Sequence, residues 1–326
     1  MLIAFACETG HPAQIPDNPT AENLAPAVWI DLCDPTSAES ALVAEATGLH
    51  VPTHAEVSEI EASSRLIERD GVLYLSMPML AMDDGPRVVA AGFVLSRERL
   101  LTVRFAPSRV FESYVEKFPS GDVPFASGAH VLIGLLAAMV DRRADALERT
   151  HADLDTVSHR VFSLAGKGRA GRKMEDRMLR DTLTGLGRIG DLISHVRENL
   201  LGVGRLVPFI EANTADWLPA EHRPKLATLR DDLASLSDFD NHLSDKLQFL
   251  LDATMGFINI AQNDVMKVMT IASVVGIPPV LVAGIYGMNF KNIPEYDWIF
   301  GYQYVWALLI LTILIPLGLF WWRKWI

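Results

Sequence analysis

Tyr286–Gly287–Met288–Asn289 closes a long uncharged stretch near the C-terminus and joins the backbone freedom of glycine to a neutral carboxamide. Taken alone, a Gly-X-Asn turn reads as a helix C-cap, because Gly and Asn both tolerate the left-handed conformation. Upstream, Asp231, Asp238, Asp245 and Asp252 recur every seven residues, which on a coiled helix is one line of carboxylates. That line is either a solvated stripe or a surface that attracts and senses cations, and periodicity does not choose between them. The histidines offer less. His50 and His54 have the i,i+4 interval of a metal pair, but Pro52 between them opposes a shared helical face. His151 and His159 fall on a segment whose exposed face is heavily charged, which fits surface histidines. Cys7 and Cys33 form no C-x-x-C pair, so neither a disulfide framework nor a thiolate zinc site is indicated. The sequence has no P-loop, no dinucleotide-binding glycine fingerprint, no H-E-x-x-H and no EF-hand loop. No nucleophile stands with a base. The chemistry on offer is contact with cations, and neither an enzyme nor an organic cofactor is expected.

These groups need elements to hold them, and the chain divides into two unequal parts. The net charge is −11 over 326 residues. From Lys267 onward it is about +2, which leaves roughly −13 on the preceding body. So acidic a body does not suit a phosphate-backbone binder, and no nucleic-acid partner is expected. Cations are the expected partners. The opening MLIAFACETG has no basic n-region and does not read as a signal peptide. Two uncharged runs, Val268–Phe290 of about 23 residues and Trp298–Trp322 of about 25, are each long enough to cross a hydrocarbon core about 30 Å thick. Trp298, Tyr302 and Tyr304 at one end of the second run, and Trp321, Trp322 and Trp325 at the other, form the aromatic belts of a bilayer span. Lys267 precedes the first run and Arg323 with Lys324 follows the second, whereas Lys291 stands between them with Glu295 and Asp297. The positive-inside rule then places the body and both termini in the cytoplasm, with a short loop outside.

In the body, β-like runs (Ala27–Leu32, Val72–Pro78, Val88–Ser96, Leu100–Arg104) alternate with helix-like segments such as Ser37–Thr47, broken at Gly71 and Gly85–Pro86. This predicts an α/β or α+β domain over residues 1–125. Apolar spacing turns helical over 126–160 and again over 172–207, on either side of the break AGKGRAGRK, which predicts two long antiparallel helices. A third helix begins after Pro219–Pro224 and continues through Leu226–Met266 into the first span. The expected domains are therefore 1–125, a helical bundle and stalk over 126–265, and a hairpin over 266–326 with spans at about 267–287 and 302–322.

The hairpin carries TMGFINIAQND, then IPPVLVAGIYGMNFKNIPEYDWIFGY, then a second span ending in WWRKWI. Over Met255–Ile326 the sequence closely resembles the CorA family of magnesium transport proteins. A weaker echo, EVSEIEASSR at Glu56–Arg65 followed by a Gly-Val-Leu-Tyr strand, extends the resemblance to the whole chain. It implies a homopentameric funnel in the bacterial inner membrane. Each chain would contribute an α+β cytoplasmic domain, long stalk helices and a two-helix transmembrane hairpin whose first helix lines the pore. Geometry favours several copies independently, because a hairpin of two helices has no interior to hold a water-filled path.

In such an assembly Gly287, Met288 and Asn289 form the selectivity filter, with Asn289 as a ring of carboxamides at the outer mouth. Mg²⁺ sheds its water reluctantly, and amide oxygens can accept hydrogen bonds from the waters of the hydrated ion. From Asn263, helical steps of three or four reach Met266, Thr270, Ser273, Ile277, Val280 and Gly284, a stripe without charge. The resemblance places Asn263, Met266, Met269, Ile277, Val280 and Gly284 at pore positions, with Ile277 standing where the family often has Met. Met266 and Ile277 would make apolar constrictions that close by dewetting. The resemblance also implies regulatory Mg²⁺ bound between subunits. Asp252 matches an acidic position near the pore, and Asp231 and Asp232 fall near a stalk position used by some members. The expected function is a channel for Mg²⁺ influx, with Co²⁺ and Ni²⁺ as further cargo, gated by cytoplasmic Mg²⁺. A zinc transporter of the ZntB type shares the motif and topology. A membrane-anchored signalling or scaffold protein is the alternative of another class.

Overall fold

The computed structural model describes residues 1–8, 11–16, 19–59, 61–81, 87–116, 127–164, 172–289, 293–323 and 325. The breaks expected at Gly85–Pro86 and over 165–171 lie outside the described residues, as do Lys291 and Lys324. The chain forms two compact units, Met1–Ser163 with Asp181–Leu251, and Leu164–Arg180 with Asp252–Ile326.

The first unit is built on one seven-stranded sheet. Its strands are β1 (Leu2–Glu8), β2 (His11–Gln14), β3 (Ala27–Cys33), β4 (Leu66–Arg69), β5 (Val72–Ala81), β6 (Arg87–Leu95) and β7 (Leu100–Arg104), in the order β2-β1-β3-β7-β6-β5-β4. Neighbours are antiparallel except β3 and β7, which run parallel with Trp29 opposite Leu100 and Cys33 opposite Arg104. A parallel pair needs a long crossover. Here it holds α2 (Ser37–Thr47), the short helices α3 (His54–Val57) and α4 (Ala62–Arg65), and the β4–β5–β6 meander. The four strand-like runs and the helical segment read from the sequence correspond to β3, β5, β6, β7 and α2. The opening apolar run is β1, whose Leu2 pairs with Leu32.

Alternation along the strands sends side chains to two cores. Trp29, Phe93 and Leu100 join one, and Ile30, Leu32, Val94, Leu101 and Val103 the other. Because both faces are covered, β7 is buried at every position. Local chemistry fixes the turns. Between β4 and β5, Asp70 (φ +52°) and Gly71 (φ +76°) make a two-residue hairpin turn with Arg69 opposite Val72. Helix α2 opens on a capping box in which the Thr36 side chain and Glu39 exchange hydrogen bonds with each other's backbone N–H. It ends on Gly48, which is left-handed at φ +71°.

The first core continues into α5 (Arg109–Glu116), α6 (Gly128–Leu164), α7 (Arg172–Asn213) and the first half of α8 (His222–Tyr286). The sequence suggested that α7 would end at Val207, before Pro208, yet it runs to Asn213 with the proline inside. Val207 and Ile210 on either side are buried in the core. The apolar face thus continues past the proline and outweighs its missing N–H. At the sheet, Asn199 of α7 donates to the Pro78 carbonyl at 2.8 Å. Pro78 pairs with Ala90 on β6 but lies beyond the reach of β4, so a residue without an N–H is tolerated on that edge.

The second unit contains α8 from Asp252 onward, a 3₁₀ turn at Pro294–Asp297 and α9 (Gly301–Trp322). Pro224 sits in the first turn of α8, where its missing N–H costs nothing.

Candidate functional site

Helix α8 is 65 residues long, about 98 Å at 1.5 Å per residue. Its apolar stretch and that of α9 pass the length and composition required of a membrane span, yet the most apolar windows are 0% and 6% buried within the chain. Apolar surface on this scale is covered by lipid or by other chains.

The residues expected to face a pore lie on this exposed stretch. Asn263, Met266, Met269, Ile277, Val280 and Gly284 are all exposed, with Val280 the most open of the larger ones at 72%. Steps of three and four residues bring Ile277, Val280, Gly284 and Met288 into one apolar groove of about 560 Å³. Met266 lines a different one, with Leu179, Arg180 and Gln262. Asn263 and Met269 line neither. Thr270 turns its hydroxyl back to the Met266 carbonyl at 2.8 Å, so this group of the stripe is already engaged.

The turn that ends α8 differs from a left-handed cap. Gly287 N–H still bonds the Ala283 carbonyl at 2.9 Å, and Met288 N–H reaches Ile285 at 3.2 Å. Among the described residues only Asp34, Gly48, Asp70 and Gly71 have positive φ. Glycine suits position 287 for another reason, since a Cβ there would lie 3.0 Å from the Ala283 carbonyl oxygen. The helix therefore runs to its last turn without a break, and Asn289 follows it, exposed.

The carboxylate line is on the surface of α8. Asp231, Asp232, Asp238, Asp245 and Asp252 are all exposed. Asp231 lies 4.0 Å from the Arg230 guanidinium, and Asp232 lines a pocket with Tyr114, His130 and Lys225. The sequence reading missed Asp240, the buried acid of this helix. Arg197 of α7 donates to it at 2.7 Å, and burial raises its carboxyl pKa against the pull of that guanidinium.

An α+β body and two exposed apolar spans, the first continuous with a helix of the body, define a two-span integral membrane protein. The family model described as CorA-like Mg²⁺ transporter protein matches residues 25–324, and the chain belongs to that family. It is 30% identical over 328 residues to the magnesium transport protein CorA of Pasteurella multocida, covering 100% of both chains. Identity to the magnesium transport protein CorA of Escherichia coli K12 is also 30% over 328 residues, again with 100% of both covered. Among solved structures, the CorA magnesium transporter of Methanocaldococcus jannaschii matches with a TM-score of 0.76 at 20% identity, over 100% of this chain and 99% of that one. The ZntB cytoplasmic domain of Vibrio parahaemolyticus matches with a TM-score of 0.53 at 11% identity, over 79% of this chain and 97% of that one. These structural likenesses bear on the fold alone.

Proposed function

We propose that the chain assembles as a homopentamer in the bacterial inner membrane and carries Mg²⁺ into the cell, with Co²⁺ and Ni²⁺ as further cargo. Residues 1–125 and 126–265 form its cytoplasmic domain and stalk, and 266–326 its transmembrane hairpin, with both termini inside. The observation that carries this reading is the uncharged, exposed face of α8 that ends at Gly287–Met288–Asn289 in a chain of the CorA-like family. Five such faces about an axis make a pore without fixed charge, and an ion entering from outside meets the neutral carboxamides of Asn289 first. There, five carboxamide oxygens accept hydrogen bonds from the ion's water shell, which Mg²⁺ keeps. Asn263, Met266, Met269, Ile277, Val280 and Gly284 line the path, and the apolar rings at Met266 and Ile277 close it by dewetting. Transport needs no nucleotide, because at 100 mV a divalent cation moving inward gains about 4.6 kcal/mol, twice the value per charge.

The test is ion flux into liposomes holding the purified protein, with Mg²⁺, Co²⁺ and Zn²⁺ in competition, for wild type and Asn289→Ala. Mg²⁺ entry by wild type, and its collapse in a variant that still cross-links as a pentamer, is the expected result. Entry of Zn²⁺ in preference to Mg²⁺ overturns the choice of ion. No flux of any divalent cation leaves only an anchoring role.

A further inference from the structure

Two histidines of the first unit have no part in the ion path. His130 lies in the first turn of α6 and His222 opens α8, and their rings meet edge to face with centroids 4.6 Å apart. The residues are 7% and 1% exposed, yet among the described residues the Nδ1 atom of neither has a hydrogen-bond partner. A buried polar atom left unpaired costs free energy, and each of these two adjacent rings therefore has a nitrogen to offer a ligand. The exposed carboxylate of Glu221 stands 3.9 Å from His222 Nε2. One donor atom from each of His130, Glu221 and His222 falls within 4.8 Å of the other two. Donors about 2.0–2.1 Å from a tetrahedral ion sit roughly 3.3–3.4 Å from one another. Closing the site therefore takes a movement of at most about 1.5 Å between any two donors, to which the solvated Glu221 side chain contributes by a rotamer change.

We infer that His130, His222 and Glu221 form a binding site for a borderline divalent cation of the zinc class, completed by water and distinct from the proposed ion path. Two imidazole nitrogens and one carboxylate suit Zn²⁺, Co²⁺ or Ni²⁺. They do not suit Mg²⁺, which takes oxygen ligands in an octahedron. Burial lowers the pKa of both rings. His130 also lines a pocket of about 430 Å³. Lys225 on that pocket opposes a cation, and Asp232 on the same wall together with Glu221 offsets it with two negative charges. An ion held here ties the start of α6 to the start of α8.

Cobalt makes the inference testable on the full-length protein in detergent. Tetrahedral Co²⁺ with nitrogen ligands absorbs strongly in the visible region, whereas Co²⁺ in an octahedral oxygen shell is nearly colourless, so ions in the transport path do not interfere. The chelator-stripped protein is titrated with Co²⁺ in a large excess of Mg²⁺, as wild type, His130→Gln and His222→Gln. The expected result is a band that saturates at one ion per chain in wild type, is lost in both variants and is removed by added Zn²⁺. Absence of the band in wild type, or its persistence in either variant, overturns the inference. Should a variant fail to fold, the wild type decides the matter alone. Cu²⁺ with ascorbate oxidises the side chains that hold the metal, and peptide mass spectrometry should find the modification at His130 and His222. Modification confined to other histidines overturns the inference equally.

Discussion

Arg104 and Asp31 form a two-pronged ion pair sealed inside the sheet. Arg104 Nη2 lies 2.9 Å and Nε 3.2 Å from Asp31 Oδ2, with the two residues 4% and 1% exposed. Parallel pairing puts them on adjacent strands, with Asp31 opposite Thr102 and Cys33 opposite Arg104. The remaining valences are also used. Trp29 Nε1 donates to Thr102 Oγ1 at 3.1 Å, Thr102 Oγ1 donates to Asp31 Oδ1 at 2.6 Å, and Arg104 Nη1 donates to the Ala106 carbonyl at 3.2 Å. Such a network stabilises little beyond its own desolvation, but losing one partner strands a buried charge. Arg104→Met alone should destabilise the protein by about 3–5 kcal/mol. The double variant Arg104→Met/Asp31→Leu should recover most of that loss. Denaturant unfolding followed by tryptophan fluorescence measures both, and equal instability of the two would show that the charge is not the cause.

The capping box of α2 predicts a pH dependence with a definite sign. Glu39 has its pKa lowered, first by the Thr36 backbone N–H it accepts at 2.8 Å, against burial, and further by the Thr36 hydroxyl and the N-terminal ammonium. A carboxyl depressed in the folded state contributes stability that is complete above its unfolded pKa, about 4.3, and is lost as pH falls through the folded value. Glu39→Gln, which keeps the capping box but removes the charge, should therefore cost about 0.3–1 kcal/mol at pH 7. The gap to wild type should close as the pH drops below 4.3. Urea midpoints of the two proteins at pH 7 and in acid measure it, and a gap independent of pH would assign the effect to packing.

What the sequence made legible follows from how local each signal is. Strands β3, β5, β6 and β7 are apolar on both faces or bounded by glycine, so they stand out. Strand β4 has only Leu66 and Ile67 before Glu68 and Arg69, too few residues to show a period, and it is a strand because β5 pairs with it. Helix α7 runs past Val207 to Asn213 because Ile210 beyond Pro208 is buried in the core, which the local spacing does not show. The absence of charge over Val268–Tyr286 of α8, by contrast, is local and could be read directly. The Asp31–Arg104 pair joins residues 73 apart, and the His130–His222 contact is equally non-local, so neither leaves a mark on any window of sequence.

Gly301 tests whether the turn into α9 is as tight as its geometry requires. The backbone oxygen of Glu295 stands where a Cβ at position 301 would have to go. The segment is held by Trp298 N–H to the Glu295 carbonyl at 3.3 Å and Gly301 N–H to the Trp298 carbonyl at 3.1 Å. Gly301→Ala should force the 3₁₀ turn open, at a cost of about 1–3 kcal/mol, and lower both thermal stability in detergent and the amount of protein recovered from membranes. Gly318→Ala in the same helix meets nothing within 4 Å and serves as the control expected to behave as wild type.

The surface carboxylates of α8 carry the last prediction, that Mg²⁺ inside the cell favours a closed pentamer. Asp231, Asp238, Asp245 and Asp252 are exposed along one helix, and with a net charge of roughly −13 each, the five bodies of the proposed pentamer would repel one another. A divalent cation shared between neighbouring chains turns that repulsion into attraction. By linkage, it stabilises whichever state brings the carboxylates close. Ions that have entered then oppose further entry. Several such sites acting together need only modest individual affinity to shift the equilibrium. Limited proteolysis of the detergent-solubilised pentamer, with Mg²⁺ or with chelator, reads the effect. Mg²⁺ should slow cleavage of wild type and have much less effect on Asp231→Asn/Asp252→Asn, which should also conduct at Mg²⁺ concentrations that silence wild type. If Mg²⁺ gives wild type no protection, the sensing proposal fails. If protection survives in the double variant, sensing belongs to other carboxylates, and Asp232, Asp238 and Asp245 on the same helix are the next to replace.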